Sequence, residues 1–145
     1  MSKSNAWETD LLNLLFNNTN AALIGDATGL RGSTTAGSLY LSLHTADPGE
    51  AGDQTTSEVT YTSYARVAVA RTSGGFTVSG NAVSLAGNAT FPAGSGGSAT
   101  AAFWGLGTAA SGTGKLLYKG AIRPTIATGN GVTPILNAGT IVTED

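Results

Sequence analysis

Hydrophobic and polar positions follow a helical period in one segment, near the start of the chain. In SNAWETDLLNLLFNN, Asn5 is placed to cap a helix and Glu8 to complete a capping box. The polar run at 17–20 then ends the helix. The helix carries an apolar stripe that its own domain or a neighbouring subunit must cover. The stripe consists of Trp7, Leu11, Leu14 and Leu15, with Leu12 at its margin.

A period of two replaces the helical period at residue 39. In LYLSLHT, residues 39–45, three leucines alternate with other residues, which predicts a strand with the leucines in a core and His44 on the half-exposed face. Later runs rich in β-branched and aromatic residues are separated by Gly- or Asn-containing turns, roughly every 8–12 residues. No helical pattern follows residue 20. The chain is therefore predicted to be mainly β, an antiparallel β-sandwich or barrel with one short N-terminal helix.

The length of 145 residues predicts a single domain covering 1–145. Within it we expect the N-terminal helix and its stop at 1–20, an extended loop at 21–37 and a β-domain at 38–145. The chain has no cysteine, which excludes disulfides and thiolate nucleophiles.

Charged residues make up only 11% of the chain, and the 43 residues from Thr72 to Gly114 carry none. The seven Lys and Arg residues form no basic stripe and the net charge is −2, so we expect no nucleic-acid partner. The apolar cluster 11–16 is broken by Asn13, so we expect neither a signal sequence nor a membrane span, and synthesis in a cytoplasm.

The single histidine, His44, precedes three acidic residues, Asp47, Glu50 and Asp53, and this cluster raises the question of a metal or acid–base centre. Turn chemistry accounts for Asp47-Pro48-Gly49 without a ligand, since Asp, Pro and Gly suit the first three positions of a type II turn. The spacing matches neither a calcium loop nor a paired-histidine site. We therefore expect no metal and no cofactor.

Other candidate motifs also have structural explanations. GLGTAASGTGK, residues 105–115, fails both the phosphate-loop and the dinucleotide pattern, and predicts a hairpin loop. The chain lacks a Gly-x-Ser-x-Gly elbow for a serine nucleophile. Trp104 beside Phe103 could form a carbohydrate platform, but a buried Trp is the commoner case in a strand. We expect that the protein is not an enzyme.

Two segments carry a resemblance to a known family. LYLSLHTADPGEAG and EVTYTSYARVAV resemble small virion structural proteins of tailed phages, in which a short helix precedes a strand ending in Thr-Ala-Asp-Pro, a Gly-rich loop and a Tyr-Ala-Arg run. Here these elements are 7–16, 39–48, 51–57 and 64–66. The first half of the chain carries the resemblance, while the second half, which is rich in Gly, Ala and Thr, matches only in its general character.

This resemblance implies a structural protein of the virion, since members are labelled as head decoration (cement) proteins or as tail-fibre proteins. The leading expectation is a decoration protein on the head surface that stabilises the shell by bridging major capsid subunits. Its expected partners are the major capsid protein and further copies of itself in a small homo-oligomer such as a trimer. The alternatives are a tail or tail-fibre component and a carbohydrate-binding β-sandwich adhesin. Interface residues are expected in the helix and in the loop 46–57, namely Trp7, Leu11, Leu14, Leu15, Asp47, Pro48, Glu50 and Asp53.

Overall fold

The N-terminal helix, α1, covers Asn5–Phe16 in the computed structural model, which describes residues 2–25, 29–139 and 141–144. Its N-cap is Ser4, whose hydroxyl accepts a hydrogen bond from the Trp7 N–H at 3.4 Å. The prediction of Asn5 as the cap was therefore wrong by one residue. Serine caps well because its short side chain reaches a free N–H of the first turn while its own backbone stays extended.

Nine strands follow the helix in the described part of the chain, and they confirm the mainly β prediction. They are β1 (Ser38–His44), β2 (Val67–Ala70), β3 (Phe76–Ser79), β4 (Ala82–Leu85), β5 (Ala89–Thr90), β6 (Ser98–Gly107), β7 (Leu116–Gly129), β8 (Ile135–Leu136) and β9 (Ile141–Thr143). The described parts of the predicted loop 21–37 contain no helix or strand. No helix in the described residues is long and apolar enough to cross a membrane.

Over the residues that the structure describes, the strands form three sheets, with the orders β2-β1-β6-β7, β3-β4-β9 and β5-β8. The sheets are antiparallel, and none of them closes into a barrel within the described residues. In the largest sheet β1 pairs with β6 from Tyr40 opposite Gly107 to His44 opposite Phe103. The hairpin predicted at 105–115 is present, since β6 and β7 pair with each other and residues 108–115 connect them.

The chain divides into two compact units. Unit 1 takes the described residues of 1–38, 69–88 and 137–145 and contains α1 and the β3-β4-β9 sheet. The helix packs against β3 and β4, and the Phe16 and Phe76 rings meet edge to face with centroids 4.9 Å apart. The core of unit 1 includes Leu12, Phe16, Phe76, Val83 and Leu85.

Unit 2 takes residues 39–68 and 89–136 and contains most of the largest sheet. The three leucines of β1 are buried, as their alternation predicted, and Trp104 is only 9% exposed. Trp104 lies opposite Gly120 of β7, where a Cβ would come within 2.7 Å of the indole ring. A single domain of 1–145 stays a prediction.

Candidate functional site

The loop 46–57, predicted to contribute to an interface, covers one face of the β1-β6-β7 sheet. Two glycines of β6 allow the close approach. A Cβ on Gly107 would lie 2.2 Å from Gln54 Cδ, and a Cβ on Gly105 would lie 2.6 Å from His44 Nε2. Real side chains do not come this close, so the glycines leave the space that the loop and the β1 side chains fill.

Gln54 fixes this loop to the hairpin loop 108–115. Its side chain is fully buried, accepts a hydrogen bond from the Ala109 N–H at 2.9 Å and donates one to the Tyr40 carbonyl at 3.3 Å. The Gln54 backbone N–H donates to the Thr113 carbonyl at 2.9 Å. A buried amide is tolerated because its polar atoms are paired in this way. Sequence reasoning missed Gln54, and the only local signal was the pair of glycines two positions apart in the facing strand.

A second bridge to the hairpin loop comes from Arg66, whose side chain is only 2% exposed. Its Nε and Nη2 donate to the two carboxylate oxygens of Glu58 at 2.7 and 2.8 Å. Its Nη1 donates to the Ala109 carbonyl at 2.9 Å, and its Nη2 also donates to the Gly112 carbonyl at 2.8 Å. The hydrogen bonds to Glu58 raise the pKa of Arg66. The guanidinium therefore fixes the hairpin loop in place through backbone atoms.

Tyr64 joins this network to the sheet. Its hydroxyl donates to Glu58 Oε1 at 2.8 Å and accepts from the Leu43 N–H at 3.1 Å. Burial raises the pKa of the Tyr64 hydroxyl far above its usual range, so the group stays protonated and keeps its role as a donor. The Tyr-Ala-Arg run, noted in the sequence as a resemblance, thus supplies two of the three members of a structural hydrogen-bond network.

His44 is completely buried, so the prediction that it lies on a half-exposed face was wrong. The alternation was read correctly, but the loop 46–57 covers the face on which His44 lies. Its Nδ1 bonds the Thr56 carbonyl at 2.8 Å, and its Nε2 lies 2.8 Å from Ser42 Oγ. A carbonyl only accepts, so Nδ1 carries the proton and Nε2 accepts from Ser42. Burial lowers the pKa of His44, which favours this neutral form.

The Ser42–His44 pair has the distance of a nucleophile and a base, yet both side chains are 0% exposed. A substrate has no access to either side chain in this arrangement. Among the described residues, no group of three or more His, Asp or Glu side chains lies close enough to hold a metal ion.

The four predicted interface residues of the loop have different surroundings. Pro48 is buried, whereas Asp47 and Glu50 are exposed and Asp53 is half-buried. Asp47 Oδ1 accepts from the Gly49 N–H at 2.8 Å, and Gly49 has the positive φ, 74°, that the predicted turn requires, but the hydrogen-bonded turn lies at 50–51. Asp53 Oδ1 accepts from the backbone and the hydroxyl of Thr55, and these bonds lower the pKa of Asp53.

Lys119 of β7 connects the loop to the edge of the sheet. Its Nζ lies 2.8 Å from Asp47 Oδ1 and 3.4 Å from Glu50 Oε1. The hydrogen bond with Lys119 lowers the pKa of Asp47 and raises that of Lys119. Both carboxylates remain well exposed, at 49% and 96% of the side chain, so water and salt screen the pairs.

A cleft of about 210 Å³ lies beside this ion pair, between β7 and the turn at 49–52. It is lined by Gly49, Glu50, Gly52 and the four consecutive residues 116–119. This volume is below the range of roughly 300–1,000 Å³ typical of small-molecule pockets.

In unit 1, the predicted interface stripe of the helix is half-buried at Trp7, Leu11, Leu14 and Leu15. The fully covered face is a neighbouring one, formed by Glu8, Leu12 and Phe16 at four-residue spacing. Leu12 and Phe16 thus pack within their own unit, while the four stripe residues keep part of their surface accessible. Their assignment to an interface stays a prediction.

Arg71 holds the C-terminal end of the helix. Its guanidinium donates to the Leu14 carbonyl at 2.8 Å, to the Leu15 carbonyl at 2.5 Å and to the Ala36 carbonyl at 3.1 Å. The last carbonyls of a helix lack hydrogen-bond donors within the helix and carry partial negative charge. The Arg71 guanidinium supplies the donors and also a positive charge that the helix dipole favours.

Large apolar side chains are exposed in both units. Leu23 is 93% exposed in unit 1, with a φ of 66° that is unusual for a leucine, and Ile24 beside it is 37% exposed. In unit 2, Val132 and Ile135 are 37% and 43% exposed. Trp104, by contrast, is buried, so its ring is not available as a carbohydrate platform.

Comparison with known families gives a match over nearly the whole chain. Residues 2–144 match the family model described as Podophage GP4 fiber I protein gp80. The match confirms the resemblance to structural proteins of tailed-phage virions. No curated protein matches the chain.

Proposed function

Because the chain belongs to the Podophage GP4 fiber I protein gp80 family, a family of phage virion structural proteins, we propose that it is a fibre component of a tailed-phage particle. The family match over residues 2–144 is the observation that carries this proposal. In this role the protein contributes protein–protein contacts at the point where a fibre joins the particle or along the fibre itself.

The arrangement of the polar groups supports a structural role. In unit 2, the 46–57 loop and the hairpin loop 108–115 are held by hydrogen bonds from the side chains of Glu58, Arg66 and Gln54. Hydrogen bonds to charged groups in water-poor surroundings are stronger than neutral ones, so these loops keep a fixed shape. A surface of fixed shape loses little conformational entropy when it binds a partner.

A second candidate is the capsid decoration protein expected from the sequence. The Thr-Ala-Asp-Pro and Tyr-Ala-Arg segments are compatible with it, since the proteins that share this pattern are labelled either as decoration proteins or as tail-fibre proteins. A decoration protein bridges major capsid subunits on the head surface and occurs in many copies. A fibre component is present at a few symmetric positions.

Copy number and location on purified particles separate the two candidates. We would quantify the protein against the major capsid protein by mass spectrometry with isotope-labelled peptides, and locate it in a cryo-EM map of the virion. The fibre proposal predicts a small fraction of the capsid protein's copy number and density on a fibre. Density repeated over the head shell at near-capsid copy number would refute it in favour of decoration, and absence from the particle would refute both.

A further inference from the structure

The turn that follows β7 carries the one Asn-Gly step of the sequence. Of the nine asparagines, only Asn130 is followed by glycine. The turn covers residues 129–132 and is closed by the Val132 N–H, which donates to the Gly129 carbonyl at 3.1 Å. Asn130 and Gly131 occupy its two central positions and are both exposed. Gly131 has a φ of 75°, which glycine adopts without strain.

An Asn-Gly step is chemically labile, because glycine has no Cβ to hinder approach to its nitrogen. Once base has removed its proton, the Gly131 nitrogen can bond to Asn130 Cγ. The Cγ–Nδ2 bond then breaks, and the leaving group takes up a proton and departs as ammonia. Water opens the resulting succinimide ring at one of its two carbonyls. The products are aspartate and isoaspartate, so a neutral amide is replaced by a carboxylate.

The side-chain amide of Asn130 is available for this reaction. Among the residues that the structure describes, no hydrogen bond or ion pair holds it. The amides of Asn81 and Asn88, by contrast, are engaged with the main chain. Asn81 Nδ2 donates to the Glu144 carbonyl at 2.9 Å, and Asn88 Oδ1 accepts from the Ala138 N–H at 3.0 Å.

The attacking nitrogen, however, is held in the folded chain. The Gly131 N–H donates to the Gly94 carbonyl at 2.8 Å, and the Gly94 N–H donates to the Val132 carbonyl at 2.9 Å. Gly94 and Asn130 also form an isolated parallel β-bridge. Base does not reach the Gly131 proton while that proton is hydrogen-bonded, so the reaction requires this contact to open.

We propose that Asn130 is a deamidation site and that the contact between Gly94 and Gly131 controls its rate. The new carboxylate stands two positions before Val132, an apolar side chain that is 37% exposed, so the reaction changes the chemistry of this surface. Isoaspartate also adds one carbon to the main chain within the turn, which displaces the contacts with Gly94. A protein in an assembled virion is not replaced, so the modified form accumulates as the particle ages.

The test follows deamidation of the full chain in mildly alkaline buffer by peptide mass spectrometry, with enzymatic methylation of isoaspartate as a second readout. In the folded chain we expect modification at Asn130 ahead of every other asparagine. In denaturing urea, where the contact with Gly94 is lost, we expect the rate at Asn130 to rise about tenfold or more.

Gly94→Ala tests the contact in the folded chain, since a Cβ at position 94 would collide with the Gly129 carbonyl. Faster amide exchange at Gly131 and faster deamidation at Asn130 are expected together. Gly87→Ala is the matched control, because the Cβ added there meets nothing within 4 Å. It is expected to deamidate at the wild-type rate.

The comparison of folded and urea-denatured wild type needs no variant, so it decides the matter even where Gly94→Ala does not fold. No modification at Asn130 in the folded chain, or a rate there equal to the rate in urea, would overturn the proposal. A folded Gly94→Ala variant with faster Gly131 exchange and an unchanged deamidation rate would overturn it as well.

Discussion

Gln54 lies directly over Gly107, with its side chain in the space that a Cβ at position 107 would need. The predicted Cβ would stand 2.2 Å from Gln54 Cδ, although the two residues belong to different elements of unit 2. Gln54 also bonds Ala109 and Thr113, so it connects the loop 46–57 to both β6 and the hairpin loop 108–115.

Gly107→Ala is expected to destabilise the protein. The added methyl group displaces the buried Gln54 amide and breaks its hydrogen bonds, and overpacking of this kind costs about 1–3 kcal/mol. Chemical denaturation of the variant measures the free energy of unfolding. Gly87→Ala is the control, since a Cβ there meets nothing within 4 Å. Equal stability of the two variants would contradict the steric role of position 107.

Arg66→Met is expected to lower the free energy of unfolding by about 3–5 kcal/mol, because it leaves the Glu58 carboxylate without its partner in a water-poor place. The hairpin loop 108–115 loses two hydrogen bonds at the same time, so its amides are expected to exchange faster. Urea titration and hydrogen exchange measure the two effects. Lys115→Met, at an exposed lysine, serves as the control, and a loss of the same size there would argue against a special role for Arg66.

The stability of the protein is expected to fall as the pH drops below about 6.5, the usual pKa of histidine. Burial lowers the pKa of His44 in the folded state, so the unfolded chain binds a proton that the folded chain does not. Between the two pKa values, stability falls by up to about 1.4 kcal/mol for each pH unit, and above 6.5 this contribution is constant. Denaturation between pH 8 and pH 5 measures the slope.

His44→Gln provides the comparison for this pH dependence. The variant removes the only histidine, so its stability is expected to change little between pH 7 and pH 5, whatever its absolute value. A direct reading comes from NMR of the His44 ring, which is expected to titrate below 6.5. A pKa at or above that value would show that burial does not lower the pKa of His44.

Arg71→Met is expected to loosen the end of α1. The substitution leaves the Leu14 and Leu15 carbonyls without their donor, and each lost hydrogen bond from a charged group costs about 1.5–3 kcal/mol. Faster amide exchange in the last turn of the helix, together with a lower unfolding midpoint, is the expected result. Lys115→Met changes an exposed cation outside unit 1 and is expected to leave both quantities unchanged.

Phe16→Ala and Leu23→Ala separate core from surface in the same unit. Phe16 is fully buried against Phe76, so its truncation is expected to cost about 3–5 kcal/mol. Leu23 is 93% exposed, and its truncation is expected to change stability by less than about 0.5 kcal/mol. Thermal unfolding of the two variants measures the difference. A large loss at Leu23 would mean that the residue packs against other atoms in solution.

The elements that depend on local pattern could be predicted from the sequence. Alternation placed the three leucines of β1 in the core, and glycines marked the hairpin between β6 and β7. The burial of His44 could not be predicted, because it depends on the loop 46–57 folding back over the strand. That contact joins residues distant in sequence and leaves no periodic pattern. Arg66 and Gln54 were missed for the same reason, since they bond Ala109 from 43 and 55 positions away. The helix cap differed by one residue, because Ser4 and Asn5 are both suitable caps.

The hairpin loop 108–115 is held almost entirely through its main chain. Arg66 bonds the carbonyls of Ala109 and Gly112, and Gln54 bonds the Ala109 N–H and the Thr113 carbonyl. Main-chain groups are common to nearly all amino acids, so the exposed side chains between them can be exchanged without loss of these bonds. The loop therefore keeps one shape while its exposed side chains, apart from the positions of Gly112 and Gly114, are free to diverge. Mutation can then change the chemistry of this surface without changing how the loop is held.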